Sequence, residues 1–169
     1  MPSPNDDRTA ALSIQLARAH QELRRQVAAI RADLGRRRIE NATDATLVTH
    51  CLAFCDALAT HHRGEDEALF ARLVRARPDL APTVAKLVED HGLIATILAR
   101  VAELADEAAG ARSEVRTLDL IAAELDGLAA IMESHFGYEE RTIGRALDHD
   151  VTDDGWSAMV FRFTARKDR

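Results

Sequence analysis

His61 and Glu65 stand four residues apart in the chain, and so do His135 and Glu139. On a helix that interval places an imidazole and a carboxylate on one face, one turn apart. Imidazole nitrogens and carboxylate oxygens on facing helices form a ligand set suited to iron or manganese. The residues around them are apolar at helical spacing. In the series 12, 16, 20, 23, 27 the one polar intruder is His20, and in 47, 51, 54, 58, 61, 65, 69 the intruders are His61 and Glu65. His91 interrupts 84, 87, 91, 94, 98, while His135 and Glu139 interrupt 121, 125, 128, 132, 135, 139. Four imidazoles and two carboxylates left unpaired in a dry core would each cost on the order of several kcal/mol. A cation removes that penalty by giving every lone pair a partner. Six donors exceed the four positions of a tetrahedral zinc site, and the set suits two metal ions.

Such donors meet only if separate helices carry them to one depth. Apolar residues recur at helical spacing in four segments, with no convincing alternation of the strand type. The first is expected over about residues 8 to 34 and carries Leu12, Leu16, Leu23, Val27, Ile30 and Leu34, with Gly35 as its stop. Asn41 or Thr43 can cap the second, which bears Leu47, Cys51, Phe54, Leu58 and Leu69. Pro78 and Pro82 mark the turn into the third. Val84, Leu87, Val88, Ile94, Leu98 and Val101 form its stripe, and Gly110 follows it. Ser113 can cap the fourth, with Leu118, Ile121, Leu125, Leu128 and Met132 inward. Short connections make neighbours antiparallel, so the expected fold is an all-α, up-down-up-down four-helix bundle over residues 1–148. Residues 149–169 form a tail that Trp156, Phe161 and Phe163 pack on the bundle. At about 1.5 Å per residue, His20 lies roughly 22 Å before the end of its helix and His61 roughly 26 Å after the start of the next. By the same rise His91 lies about 27 Å before its helix end and His135 about 33 Å into the fourth, one layer to within a turn.

The 169 residues suit one domain, 47% hydrophobic and 30% charged, and the dominance of Ala, Leu, Arg and Glu favours helix. A net charge of −6 leaves no electrostatic footprint for nucleic acid. The run Arg36-Arg37-Arg38 complements a helix C-terminus. Two cysteines, Cys51 and Cys55, exclude a disulfide framework, suit a reducing cytosol, and read as small buried apolar side chains. No leader pattern opens the chain, and no apolar run approaches the roughly 20 residues that cross a bilayer. The expectation is a soluble, cytoplasmic protein without a membrane or nucleic-acid partner.

His20, HHRGEDEALF (61–70), EDHGLI (89–94) and HFGYEERTI (135–143) together resemble the haemerythrin-like, or HHE cation-binding, family over roughly residues 10–147. The resemblance implies a centre of two non-haem iron ions, with His20, His61, His91 and His135 as terminal ligands and Glu65 and Glu139 as bridges. Manganese is the alternative metal. Oxygen-carrying members have a second histidine one turn after the first on helix three, where this chain has Ala95. They also place an aspartate five residues after the last histidine, where this chain has Glu139 at four and Glu140 at five. The four-histidine, two-glutamate pattern is similar to di-iron proteins of nitrosative-stress repair and to those credited with peroxide handling. The implied activity is binding or reduction of dioxygen, nitric oxide or peroxide, with catalase-like turnover as one form and an electron donor the sequence does not name. A metal-dependent sensor or iron store, and an oxygen-activating oxygenase, are the competing classes.

Among the neighbours, His62 is expected at the bundle edge and Asp66, Glu67 and Glu140 in solvent. Glu89 and Asp90 read as surface charge, Phe136 and Tyr138 as packing, and His50 and His149 as out of register. Accordingly, His61→Ala or Glu65→Ala should sharply lower the iron content of the purified protein, whereas His149→Ala should leave it unchanged. Elemental analysis of the three variants checks this, and equal iron in all three would contradict it.

Overall fold

Four long helical rods carry the apolar stripes, and the described residues contain no strand. The computed structural model describes residues 10–40, 45–110 and 115–161. Helix α1 spans Leu12–Glu40 and α2 spans Ala45–Gly64. The second rod continues through a π-helical turn, Glu65–Leu69, into α3, Phe70–Ala76. A 3-10 turn at Pro78–Leu80 leads into α4, Ala81–Ala109, where Pro82 lies in the first turn, a position that needs no amide hydrogen. Helix α5 is Val115–His149, and a short α6, Trp156–Phe161, closes the described chain. No helix among the described residues is long and apolar enough to cross a membrane.

The rods pack in a ring: α1 touches α2 and α5, and α4 touches α2 and α5. Along the α1–α5 seam, Ser13 meets Asp148, Arg24 meets Glu133, Arg31 meets Asp126 and Arg38 meets Asp119. Partners descend on α5 as they ascend on α1, so these two helices run antiparallel. Exposed pairs of this kind contribute about 0–1 kcal/mol each, which makes them markers of register more than sources of stability.

One boundary and one inward assignment differ from the sequence expectation. Helix α1 does not stop at Gly35 but continues to Glu40. The cost of an internal glycine is about 1 kcal/mol. Offsetting it, Arg36 and Arg37 reach back to Asp33 and Arg38 crosses to Asp119. Val88, assigned to the inner stripe by spacing, is 44% exposed because Val84, Leu87 and His91 already fill the inward face of α4. Asn41, Thr43, Ser113 and Phe163 lie outside the described residues.

The buried apolar residues fall into two clusters. One holds Leu23, Val27, Leu58, Ile94, Leu98, Leu128 and Met132 among others, and Cys51 and Cys55 belong to it as free, buried thiols. Burial pushes Cys51 up to about 11 and Cys55 up to about 12, leaving both protonated and inert at neutral pH. The second cluster holds Leu16, Ala19, Leu69, Leu73, Leu87, Ile143, Trp156 and Phe161. Along every rod the change from one cluster to the other falls at the same residues: after Ala19 and before Leu23, after Leu58 and before Leu69, after Leu87 and before Ile94, after Phe136 and before Ile143. Those gaps contain His20, His61, Glu65, His91 and Glu139, and His135 immediately precedes the last of them.

Gly35 has open space where a Cβ would sit, in the body of a continuous helix. Gly35→Ala should therefore stabilise the protein by roughly 0.5–1 kcal/mol, read as a higher urea midpoint with an unchanged slope.

Candidate metal centre

His20 on α1, His61 on α2, His91 on α4, and His135 and Glu139 on α5 are all buried in the layer between the clusters, together with Glu65 of the π-helical turn. Two donor groups form there. Ligand atoms of His20, His61 and Glu65 lie within 4.8 Å of one another, and so do those of His62, Glu65, His91 and His135. Glu65 belongs to both. Its Oε1 is 3.0 Å from His61 Nε2, and its Oε2 is 3.3 Å from His91 Nε2. Glu139 spans the same divide from α5, with Oε2 3.3 Å from His20 Nε2 and 3.7 Å from His135 Nε2. All six residues singled out in the sequence thus converge.

His62 corrects the expectation of a place at the bundle edge. It is 5% exposed, and its ring stacks on His91 with centroids 3.9 Å apart. Adjacent residues differ by about 100° around a helix, and a helix packed against neighbours on both sides buries a face at least that wide. His61 and His62 straddle that face, so one serves each donor group. The absent histidine at Ala95, an exposed position, therefore does not leave the layer one imidazole short.

The π turn also has a local cause and a consequence. The Phe70 amide donates to the Glu65 carbonyl, five residues back, which inserts one extra residue into the rod. The insertion starts at the carboxylate shared by both groups and lets Leu69 and Phe70 both turn inward below it.

Three acids expected in solvent hold the histidines from behind. Glu140 Oε1 is 2.8 Å from His20 Nδ1, Asp66 Oδ1 is 2.8 Å from His91 Nδ1, and Asp90 Oδ2 is 3.2 Å from His135 Nδ1. Asp90 thus supports the histidine across the bundle, not His91 beside it. His61 Nδ1 donates to the Val160 carbonyl at 2.8 Å. Carboxylate or carbonyl acceptors at Nδ1 leave Nε2 as the nitrogen directed inward, the arrangement in which a histidine serves as a ligand. The signal for the acids was the doublets Glu65-Asp66, Asp90-His91 and Glu139-Glu140, in which each inner donor has an acid beside it. Phe136, read as packing, forms a wall of the layer: its ring stacks on His20 at 3.9 Å and 8°. Glu67, His50 and His149 are exposed, as expected.

The electrostatics test whether this layer fits a cation. His20 Nε2, His62 Nε2 and all four carboxylate oxygens of Glu65 and Glu139 are buried without a well-formed hydrogen bond. The approaches at 3.0–3.7 Å are therefore close but misaligned for donation. Native interiors seldom leave such atoms unsatisfied, and nitrogen and oxygen lone pairs converging on common points are what a cation satisfies. Protons must otherwise hold the layer together. Burial works against charge on His20, but Glu139 and Glu140 outweigh it and hold the group up at about 9. Burial likewise opposes charge on His91, and Asp66 and Glu65 raise it to about 9. Burial and then the charge of His91 push His135 down to about 4 and His62 well below the usual range. Burial raises Glu139, with Glu65 adding to it, whereas the imidazoles around Glu65 outweigh its own burial and hold it low.

The fold and this donor set define a helical protein with a buried cation-binding centre. Residues 13–147 match the family described as hemerythrin HHE cation binding domain, and the chain belongs to that family. No curated protein and no solved structure matches it.

For the metal-free protein, raised values at His20 and His91 stabilise the fold fully below the ordinary imidazole value of 6.5, and that contribution is lost as pH rises through about 9. The depressed His135 acts oppositely, removing stability as pH falls from 6.5 toward about 4. Metal-free protein should thus melt highest between those limits. Metal uptake at pH 7 should release protons from His20 and His91, detectable with an indicator dye, and uptake should strengthen as pH rises toward 9. A pH-independent uptake without proton release would contradict this.

Proposed function

We propose that the chain is a non-haem di-iron protein that binds or reduces a small diatomic molecule or peroxide. In this reading the rods follow an up-down-up-down course. His20 and His61 would hold one iron and His62, His91 and His135 the other, with Glu65 and Glu139 available to either. Manganese would accept the same donors. The observation that carries the reading is the pair of donor groups meeting at Glu65, with the oxygens of two buried glutamates otherwise unsatisfied.

A bound iron pair supplies Lewis acidity and one-electron redox chemistry at two adjacent centres. The chain's own residues do the rest. Glu140, Asp66, Asp90 and the Val160 carbonyl orient the imidazoles, while Phe136 and the two apolar clusters exclude bulk water. The donor count is unequal, three imidazoles against two with the glutamates shared. With one imidazole fewer, a metal beside His20 and His61 would keep a place for an external molecule. None of the donor residues is more than 5% exposed. That enclosure favours a ligand of two or three non-hydrogen atoms over an organic substrate, and so disfavours an oxygenase.

The test is anaerobic loading with ferrous iron, followed by addition of oxygen, nitric oxide or hydrogen peroxide. Two irons per chain and a changed visible spectrum with at least one of these are expected, and oxygen release from peroxide would identify catalase-like turnover. His62→Ala should lower uptake toward one iron, which the sequence pattern of four histidines would not require. Two irons with no response to any of the three molecules would point instead to a store or a metal-dependent sensor.

A further inference from the structure

The family match ends at residue 147, yet one of the four inward-held imidazoles takes its support from beyond that point. Helix α6 lies against α2 and the π-helical turn. The Val160 carbonyl on α6 accepts from His61 Nδ1 at 2.8 Å in a fully buried contact. A carbonyl accepts and never donates, so Nδ1 carries the hydrogen and Nε2 is the nitrogen that faces Glu65, 3.0 Å away.

The approach of α6 is built into both partners. Gly64 sits under it, where a Cβ would come within 3.3 Å of Val160 Cα and Cγ2 and 3.6 Å of the Met159 carbonyl. A Cβ there would press on the Val160 backbone by a few tenths of an ångström, and a branched side chain would press further on α6. On the other side, Trp156, Val160 and Phe161 are buried in the second apolar cluster, and the Phe161 ring lies 6.5 Å from that of His61. The connection is held as well. Gly155 turns the chain at φ 109°, Asp153 accepts from the Gly155 and Ser157 amides, and the indole of Trp156 donates to the Thr152 carbonyl.

We propose that α6 is a positioning element of the metal centre: it fixes His61 through the Val160 carbonyl, so that α6 docking and filling of the His20/His61 metal position stabilise each other. This rests on the two-metal reading above. Linkage makes the effect reciprocal: the factor by which docked α6 tightens the metal is the factor by which the metal tightens α6. The position governed in this way is the one with fewer imidazoles, so release of α6 would alter the two-histidine half of the site and leave the three-histidine half in place.

The experiment uses the full chain and ferrous iron under argon. Gly64→Val displaces α6 from below, Trp156→Ala removes its anchor without altering the ligand-bearing rod, and Met159→Ala, an exposed change on the same helix, is the control. Wild type should take up two irons, and amide hydrogen exchange of residues 156–161 should slow at least tenfold on loading. In Gly64→Val and Trp156→Ala the helical signal and one iron should be retained, with the second weakened about 10- to 100-fold. Met159→Ala should match wild type. Two irons in wild type with undiminished uptake in Trp156→Ala, equal weakening of both irons, or exchange of α6 that ignores iron would each overturn the proposal. Should Gly64→Val fail to fold, Trp156→Ala and the wild-type exchange decide. A wild type that takes up no iron overturns the di-iron reading, and this inference with it.

Discussion

Burying a carboxylate is costly unless something positive faces it, and this protein buries two in the middle of its core. The rest of the structure follows from that constraint. Glu65 and Glu139 lie in a polar layer that cuts the apolar interior into two clusters, and each rod crosses the layer once. Without a cation the layer balances its charge with protons, charging His20 and His91 and leaving His62 and His135 neutral. That compromise leaves glutamate oxygens without aligned partners. A helical bundle can tolerate such a layer because backbone groups at mid-rod depth are satisfied within the rods, so that the polar groups at issue there are side chains.

The supports behind the imidazoles are exchanged between rods. His20 on α1 is held from α5, His135 on α5 from α4, His91 on α4 from the π-helical turn, and His61 on α2 from α6. Each support sits beside, or is carried by an element packed on, another donor. The layer consequently behaves as one network, and rotation of α4, of α5 or of the rod that carries the π-helical turn would disturb at least two imidazoles at once. In such networks the partners of the ligands matter nearly as much as the ligands. The exposed ends of the network, Asp66 and Glu140, are where solvent comes nearest to it.

The π-helical turn shows how a small departure from regular helix serves the layer. A rod of uniform α-helix would carry His61, Glu65 and Leu69 in one drifting line. The inserted residue reorients the rod below Glu65, so that Leu69, Phe70 and Leu73 enter the second cluster while the carboxylate stays between the two donor groups. Such turns cost a little regular hydrogen bonding and recur at functional sites. Gly64, immediately before it, serves a different neighbour by admitting α6.

The sequence by itself determined the helical class, the four inner stripes and six of the seven polar side chains buried in the layer, because helical period and the cost of buried polar groups are both local to the chain. His20, His61, Glu65, His91, His135 and Glu139 could be read as inward from spacing alone, and the structure brings all six together. Spacing fixes a side chain's direction only to within about half a turn's width, however, so it put the buried His62 at the bundle edge and did not separate Glu140 and Asp66 from ordinary surface acids. Those assignments turn on contacts of about 3 Å between different rods, which depend on how each rod is rotated and tilted against its neighbours. The π-helical turn and the docking of α6 likewise left little mark in the sequence: one is a change of a single hydrogen bond's span, the other a meeting of Gly64 and Val160 ninety-six positions apart. Tertiary packing decided them, since only a folded core brings such distant groups within reach of each other.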